Sequence, residues 1–256
     1  MGSTRPWLLA LVVASLVAMA AAACGDDDDA PAGNDDGASS PGEQTPATQL
    51  PSSTDAAAVS ALTAAKAEFP ADLADGYALG RADAPLALTV YEDFQCPFCL
   101  RYTATIEPAL VEEYVAAGDL RIEFQNFPIL GAESLKAALA GECAAQQNRF
   151  WDLHHDLFLL QAEAGQLTDE KLQVGRFSDE ALRAIAEGLA LDMGAYDACY
   201  SDPATLTTVE DMANSAREQG LTGTPGFVLN GVALPGAPAN LEGWRLFMDT
   251  QLAGAE

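Results

Sequence analysis

The amino-acid sequence predicts an α/β fold in which a long helical segment interrupts a set of strands. Three observations support this fold class. Short apolar runs of strand type occur at residues 86–91, 120–124 and 226–229. Between the second and third runs, residues from 132 to about 219 show helical periodicity, with predicted helix starts at Thr168 and Ser178. The predicted order of elements is a strand, a helix, a strand, several helices, a hairpin and a last helix. This order indicates a sheet covered by helices, with an added helical subdomain.

The first residues predict an export signal and not a part of the fold. Arg5 supplies a short positive segment, and an uncharged apolar run follows at residues 7–23. Three alanines directly before Cys24 resemble the lipobox of bacterial lipoproteins, in which the cysteine is acylated. We therefore expect a lipoprotein-type signal at residues 1–24 with lipidation at Cys24. Ordinary cleavage at an A-x-A site and an uncleaved membrane anchor are the alternatives.

The segment at residues 25–58 differs in composition from the chain that follows it. It contains eight acidic residues, four prolines and no aromatic or basic side chain. Such a stretch cannot bury enough apolar surface to offset its chain entropy. The sequence therefore predicts a disordered acidic tether at 25–58 and a folded domain at 59–256. The tether would hold that domain off the outer face of the cell membrane.

The charge balance excludes one large class of function. The chain has 38 acidic and 12 basic residues, which gives a formal net charge of −26. A surface this negative repels nucleic-acid phosphates, and the basic residues do not cluster. We expect no nucleic-acid partner.

Cys96 and Cys99 form a C-x-x-C motif at a predicted strand-to-helix turn. A strand-like run precedes the motif, and helical spacing at residues 100–117 follows it. Such a turn places Cys96 near a helix N-terminus, where unpaired N–H groups favour a thiolate, while Cys99 lies about one turn further in. Pro97 suits the first helical position because it needs no N–H partner. This context favours redox chemistry.

Two other interpretations of the C-x-x-C pair are weaker. A zinc site would need two more Cys or His ligands, and the two histidines, His154 and His155, are adjacent in an aromatic-rich helical segment where we expect them to cap or pack. A purely structural disulfide would close a very small loop and gain little loop entropy. We expect neither a metal nor an organic cofactor.

Four blocks of the sequence resemble those of the exported DsbA-like thioredoxin-fold oxidoreductases. The blocks are EDFQCPFC at 92–99, NFP at 126–128, FWDLH at 150–154 and GTPGFVLNG at 223–231. In order and spacing the likeness covers nearly all of residues 76–252. It implies a thioredoxin fold with an inserted helical subdomain at about 131–219.

The resemblance also implies thiol–disulfide exchange outside the cytoplasm. Cys96 would be the exchanging sulfur and Cys99 its intramolecular partner. Four residues would support the site: Pro97, Phe98, Thr224 and Pro225. In the family the matching proline is cis, and its backbone can pair with an extended substrate. The function expected first is oxidation of dithiols in reduced exported proteins, with re-oxidation by a membrane thiol oxidase of the DsbB or vitamin-K-epoxide-reductase-like type.

Two alternative functions assign different roles to the same cysteines. A thiol reductase or disulfide isomerase would need the same pair, since direction depends on redox potential and partner. A binding or chaperone module would keep the cysteines as structural groups. The expected location is the outer face of the cell membrane through an N-terminal lipid, with a secreted or periplasmic protein as the alternative.

Two departures from the family pattern bear on the site. Val90 stands six residues before Cys96, where thioredoxin-type proteins usually keep a buried acid, so Glu92 or Asp93 is a candidate substitute. The Phe98 side chain cannot supply a cation or a hydrogen bond to the Cys96 thiolate, so we expect a milder oxidant.

Cys143 and Cys199 both fall in the predicted insertion. Acylation of Cys24 leaves an even number of the five cysteines, and an oxidising compartment permits pairing. Some relatives carry a second disulfide at comparable places. We expect a structural bond between them, with a second redox pair as the alternative.

Two groups of apolar residues receive different predictions. The helical spacing of Phe150, Trp151, Leu157 and Phe158 is typical of core and not of a peptide-binding stripe. Phe98 and the predicted turn at Phe227 are expected to form a hydrophobic substrate surface around Cys96.

Overall fold

The computed structural model describes residues 53–255. The signal predicted at 1–24, the lipidation site Cys24 and most of the predicted tether lie outside the described residues.

The predicted boundary between tether and domain is wrong. Helix α1 (Ser53–Ala67) occupies the last six residues of the range predicted as tether. Asp55 is fully buried, and its carboxylate accepts hydrogen bonds from the Leu167 N–H at 2.9 Å and the Thr168 hydroxyl at 2.6 Å. An acid that composition assigned to a solvated tether therefore anchors α1 to the insertion.

A six-stranded sheet lies at the centre of the fold. Its strands are β1 (Ala74–Asp75), β2 (Ala78–Leu79), β3 (Leu86–Glu92), β4 (Leu120–Asn126), β5 (Gly226–Leu229) and β6 (Val232–Ala233). The spatial order is β1-β2-β4-β3-β5-β6. Only β3 and β4 pair in parallel, with Leu86 opposite Leu120 and Glu92 opposite Asn126, and the other described pairs are antiparallel. Strand β3 is therefore central, and its carboxyl end leads directly into the C-x-x-C motif.

The segment after β3 is helical but broken. It comprises α2 (Pro97–Thr105), α3 (Glu107–Leu110) and a π-helical turn (Val111–Val115). Pro108 lacks an N–H, so a regular α-helix cannot continue through this point without losing a hydrogen bond. The break sets Glu107 at the joint between α2 and α3, where it is buried.

Five helices lie between β4 and β5, which confirms a thioredoxin-type α/β fold with an inserted helical subdomain. They are α4 (Ala132–Ala145), α5 (Phe150–Glu163), α6 (Asp179–Gly188), α7 (Met193–Ser201) and α8 (Pro203–Glu218). After the β5–β6 hairpin, α9 (Leu241–Ala255) closes the described chain. No helix among residues 53–255 has both the length and the apolar character needed to cross a bilayer.

One of the two predicted helix starts is wrong. Ser178 caps α6, since its hydroxyl accepts a hydrogen bond from the Ala181 N–H at 3.3 Å. Thr168 starts no helix, because Gly165 ends the preceding segment at φ +78° and the chain to residue 177 stays non-helical. The Thr168 hydroxyl instead donates a hydrogen bond to the Asp55 carboxylate.

The apolar residues assigned to the core are buried there. Phe150, Trp151, Leu157 and Phe158 are at most 3 % exposed. The Phe150 ring lies 4.6 Å from that of Phe124 on β4, centroid to centroid. Helix α5 therefore packs on the sheet.

Cys143 on α4 and Cys199 on α7 are joined by a disulfide, with an S–S distance of 2.07 Å. The bond links two helices within the insertion, so its effect on stability is separable from the chemistry of the C-x-x-C pair. That it is structural and not redox-active stays a prediction.

Replacing both Cys143 and Cys199 by Ala should lower the free energy of unfolding by about 2–4 kcal/mol, because the unfolded chain regains the entropy of an open loop. Urea unfolding of the oxidised proteins measures this change. The rate of thiol exchange at Cys96 should stay within about two-fold of wild type, because a structural bond takes no part in the exchange. A large loss of exchange with unchanged stability would instead identify a second redox pair.

Candidate active site

Cys96 sits at the point where the central strand gives way to a helix. It is the N-cap residue of α2 with an extended backbone, φ −75° and ψ 121°, and Pro97 takes the first helical position. Its sulfur therefore lies next to the unpaired N–H groups of the first helical turn. Cys99 is one turn further along α2 and is fully buried. Both cysteines are free thiols in this structure.

The two thiols differ strongly in acidity. The pKa of Cys96 is lowered to about 7, chiefly because the Cys99 thiol donates a hydrogen bond to it. Thr224 and the backbone N–H groups of Phe98 and Cys99 add to this effect, and burial opposes it. The pKa of Cys99 is raised well above its usual value, first by burial, then by the same hydrogen bond and by the charge of Glu92. Near neutral pH Cys96 is therefore ionised in a large share of the molecules, whereas Cys99 stays a thiol.

The loop before β5 forms the opposite wall of the site. The Thr224–Pro225 peptide is cis. When Cys96 is protonated, its thiol donates a hydrogen bond to the Thr224 carbonyl oxygen at 3.3 Å. The fold thus brings together residues 128 positions apart, and all four residues expected to support the cysteines lie around them.

A groove of about 590 Å³ runs beside the cysteines. Its lining includes Phe98, Arg101, Tyr102, Pro225 and Trp244. Phe98 is 60 % exposed at its entrance, and the Arg101 guanidinium lies over the Phe98 ring at 5.6 Å from the centroid. The site therefore offers an apolar contact surface with one cation at its edge.

The expectation for Phe227 is wrong. Phe227 is in β5 and not in a turn, and it is only 3 % exposed. Its ring packs edge-on against Tyr102 and Trp244, with centroids 5.0 and 4.9 Å away. Phe227 supports the floor of the groove, whereas Phe98 provides the exposed surface.

Glu92, and not Asp93, is the acid beside the cysteines. Glu92 is buried at the end of β3, and its charge acts on Cys99. Its pKa is raised well above the usual value, first by burial and then by the charges of Glu107 and Cys96. A buried acid is thus present although Val90 occupies the position where the family usually keeps one.

Asp93 has a different role. Its carboxylate accepts hydrogen bonds from the backbone N–H groups of Gln95 and Ile129 at 2.8 Å and of Leu130 at 2.9 Å. These bonds tie the loop before Cys96 to the loop after β4. The Asp93 carboxylate therefore fixes the position of the motif, and the Asp93 backbone carbonyl accepts a hydrogen bond from the Cys96 N–H at 2.9 Å.

His154 takes part in the site, which the sequence did not indicate. It is fully buried on α5, and its Nε2 lies 3.1 Å from Glu92 Oε2. Burial and the neighbouring His155 lower the pKa of His154, while that of Glu92 is raised, so the pair is a hydrogen bond between neutral groups despite its ion-pair distance. We expected His154 to cap or to pack. It does pack in the core, but its contact with Glu92 was not expected.

Alkylation of the reduced protein should report the difference between the two thiols. We expect the rate at Cys96 to rise with pH around a midpoint of about 7, because the thiolate is the reactive form. Cys99 should stay unmodified over the same range. Peptide-resolved mass spectrometry after timed iodoacetamide treatment measures both rates, with Cys96→Ser as the control. A midpoint near that of an unperturbed thiol, about 8.5, would contradict the described site.

Comparison with known proteins places this site in a family. A family model described as Thioredoxin matches residues 73–250. Disulfide bond formation protein D of Bacillus subtilis (strain 168) is 33% identical over 90 residues, which is 34% of this chain and 40% of that protein. The crystal structure of oxidised BdbD from Bacillus subtilis superposes with a TM-score of 0.59 at 22% identity, covering 70% of this chain and 94% of that one.

A second kind of relative shares only part of its length with this chain. The protein named Na(+)/H(+) antiporter NhaA 1 of Mycolicibacterium gilvum (strain PYR-GCK) is 33% identical over 164 residues. The match covers 63% of this chain but 24% of that protein, so this chain spans about a quarter of the length of such relatives. The name Na(+)/H(+) antiporter is therefore that of the longer proteins.

Proposed function

The chain belongs to the thioredoxin family, and from this membership and the geometry around Cys96 we propose that it is a thiol:disulfide oxidoreductase of the DsbA kind that acts on exported proteins. The observation that carries the proposal is the difference between a thiolate-prone Cys96 at a helix N-terminus and a buried, protonated Cys99. A structural pair would not need this difference. It is what directs one sulfur toward a substrate and keeps the other as an internal partner.

The reaction follows from this arrangement. A substrate thiolate attacks Cys96 of the Cys96–Cys99 disulfide, the S–S bond breaks, and its electron pair leaves on Cys99. A second substrate thiolate then attacks the substrate sulfur of the mixed disulfide and displaces the Cys96 thiolate. The substrate leaves with a disulfide, two electrons poorer, and the enzyme is left as a dithiol.

The substrate surface is the groove with Phe98 at its entrance. An extended peptide would lie along the loop at Thr224 and Pro225 and pair with backbone groups there. Phe98 would contact apolar side chains beside the substrate cysteine, and Arg101 would favour an acidic or neutral residue next to them.

Oxidation of client dithiols is the proposed direction, with a membrane thiol oxidase of the DsbB or vitamin-K-epoxide-reductase-like type as the electron acceptor. An extracytoplasmic location is supported by the apolar run before Cys24 and by the Cys143–Cys199 bond, since such bonds persist in oxidising compartments. Anchoring through a lipid on Cys24 is part of the same proposal.

Reduction of client disulfides is a second candidate, because one observation favours it. A pKa of about 7 for Cys96 is close to the value of about 7 typical of thioredoxin and far above the value of about 3.5 in the strongly oxidising DsbA. A less stabilised thiolate makes the disulfide form less oxidising.

An equilibrium titration against glutathione tests both the function and its direction. The redox state of Cys96 and Cys99 is read from the mass shift after alkylation, with Cys96→Ser as the control that cannot form the internal disulfide. A potential of about −120 to −180 mV supports the oxidase, and one near −270 mV supports the reductase. A pair that does not exchange with glutathione at all would refute the enzymatic proposal.

A further inference from the structure

Two histidines and a glutamate meet beside a second cavity, whose lining residues do not overlap with those of the substrate groove. One possible ligand atom each of Glu107, His154 and His155 lie within 4.8 Å of one another. The three side chains are at most 4 % exposed. The break between α2 and α3 places Glu107 here, and α5 supplies the two adjacent histidines. The exchange reaction proposed at Cys96 uses neither Glu107 nor His155.

His154 has an open ring nitrogen. Its Nε2 lies 3.1 Å from Glu92 Oε2, and its Nδ1 is buried without a hydrogen-bond partner among the described residues. With the proton on Nε2, the ring donates to Glu92 and Nδ1 presents a lone pair. A carboxyl group that orients a histidine in this way is a common outer contact of a metal-bound imidazole.

The ring of His155 is held in a similar way. The Trp151 backbone carbonyl accepts a hydrogen bond from one ring nitrogen of His155, which leaves a lone pair on the other nitrogen. Burial lowers the pKa of both histidines, to about 4 for His155. Both rings are therefore neutral, which is the form that ligates a metal ion.

Glu107 offers a carboxyl group that has no cationic partner. No ion pair within residues 53–255 includes it. Burial raises the pKa of Glu107 to about 8. A buried carboxylate without a partner is costly, and a bound divalent cation would offset that cost.

The second cavity gives a cation access to these ligands. It has a volume of about 450 Å³, and two of the three ligand residues line it. The exposed Glu68 and Glu112 also line it, whereas no Lys or Arg of the described chain does so. Lys66 lies near His155 but is paired with Asp156. The charge of the cavity therefore attracts a cation, and its volume admits water.

We propose that Glu107, His154 and His155 form a binding site for a divalent transition-metal ion of the zinc type. Two imidazole nitrogens and one carboxylate oxygen are a ligand set that zinc takes in sites with one open position, which water from the cavity would fill. Imidazole nitrogens disfavour calcium and magnesium, which take oxygen ligands.

The spacing of the ligand atoms suits such an ion. Zinc binds nitrogen and oxygen at about 2 Å, so its ligands lie up to about 4 Å apart. Small side-chain rotations therefore suffice to close a spacing of 4.8 Å. The ion would join α5 to the joint between α2 and α3 and so stabilise the folded chain. Neither Cys96 nor Cys99 takes part, and the proposal does not depend on thiol exchange.

Equilibrium dialysis of the oxidised full chain against Zn²⁺ tests the site. Oxidation removes the Cys96 and Cys99 thiols as competing ligands, and excess Ca²⁺ occupies sites made of carboxylates alone. We expect one zinc ion per chain. His155→Ala and Glu107→Gln should each weaken binding by more than about 10-fold, since loss of even an outer contact costs about 10- to 100-fold. Glu112→Gln, which lines the same cavity, is the matched control and should bind within about two-fold of wild type.

X-ray absorption at the zinc edge identifies the ligands of the bound ion. We expect nitrogen and oxygen at about 2.0–2.1 Å, with the scattering of imidazole rings, and no sulfur at about 2.3 Å. Zinc should also raise the urea midpoint of wild type and of Glu112→Gln, because it binds the folded chain, and should leave that of His155→Ala unchanged.

Should His155→Ala not fold, His155→Gln replaces it and should show the same loss of binding. The proposal is overturned if the oxidised chain takes up no zinc in the presence of Ca²⁺. It is also overturned if the folded His155 and Glu107 variants bind zinc as tightly as Glu112→Gln, or if sulfur ligates the ion. A failure of thiol exchange in the glutathione titration would leave this site unaffected.

Discussion

One sulfur of this protein lies at the end of a helix and the other lies one turn inside it, and this contrast in environment sets the chemistry of the site. Cys96 follows strand β3 and lies at the N-terminus of α2, where backbone N–H groups and the Cys99 thiol stabilise negative charge. Cys99 faces a buried carboxyl, where negative charge is disfavoured. The parallel pairing of β3 with β4 and the loop at Thr224 hold both positions in place.

The insertion supports this contrast through polar contacts and not only through packing. The Gln95 side chain, directly before Cys96, donates to Ser134 on α4 at 2.7 Å and accepts from the Gln173 N–H at 2.9 Å. Gln166 donates to the Gln95 carbonyl oxygen at 2.9 Å. The non-helical segment before α6 therefore holds the active-site loop. Asp55 in turn holds the start of that segment, so α1 belongs to the support of the site.

Sequence patterns predicted the strands, the helical insertion and the cysteine pair, because periodicity and turn residues act over short distances. They missed what depends on long-range contacts. Composition placed Asp55 in a tether, since burial of a carboxylate requires partners more than 110 positions away. Spacing left Glu92 and Asp93 equivalent, and only the pairing of strands and the position of α5 separates their roles. Phe227 was expected on the substrate surface, whereas long-range packing against Tyr102 and Trp244 buries its ring.

A stabilised thiolate at Cys96 is tested most directly by the pH dependence of the free energy of unfolding of the reduced and the oxidised full chain. The fold lowers the pKa of Cys96, so this thiolate contributes stability that is present above the unfolded-state pKa and is lost as pH falls through about 7. The raised pKa of Cys99 acts oppositely, but only above about pH 8.5. From about pH 6 to about pH 8 the reduced form should gain about 1 kcal/mol relative to the oxidised form in urea unfolding, and Cys96→Ser should abolish the gain. A difference that is flat or falls over this range would contradict a stabilised thiolate at Cys96.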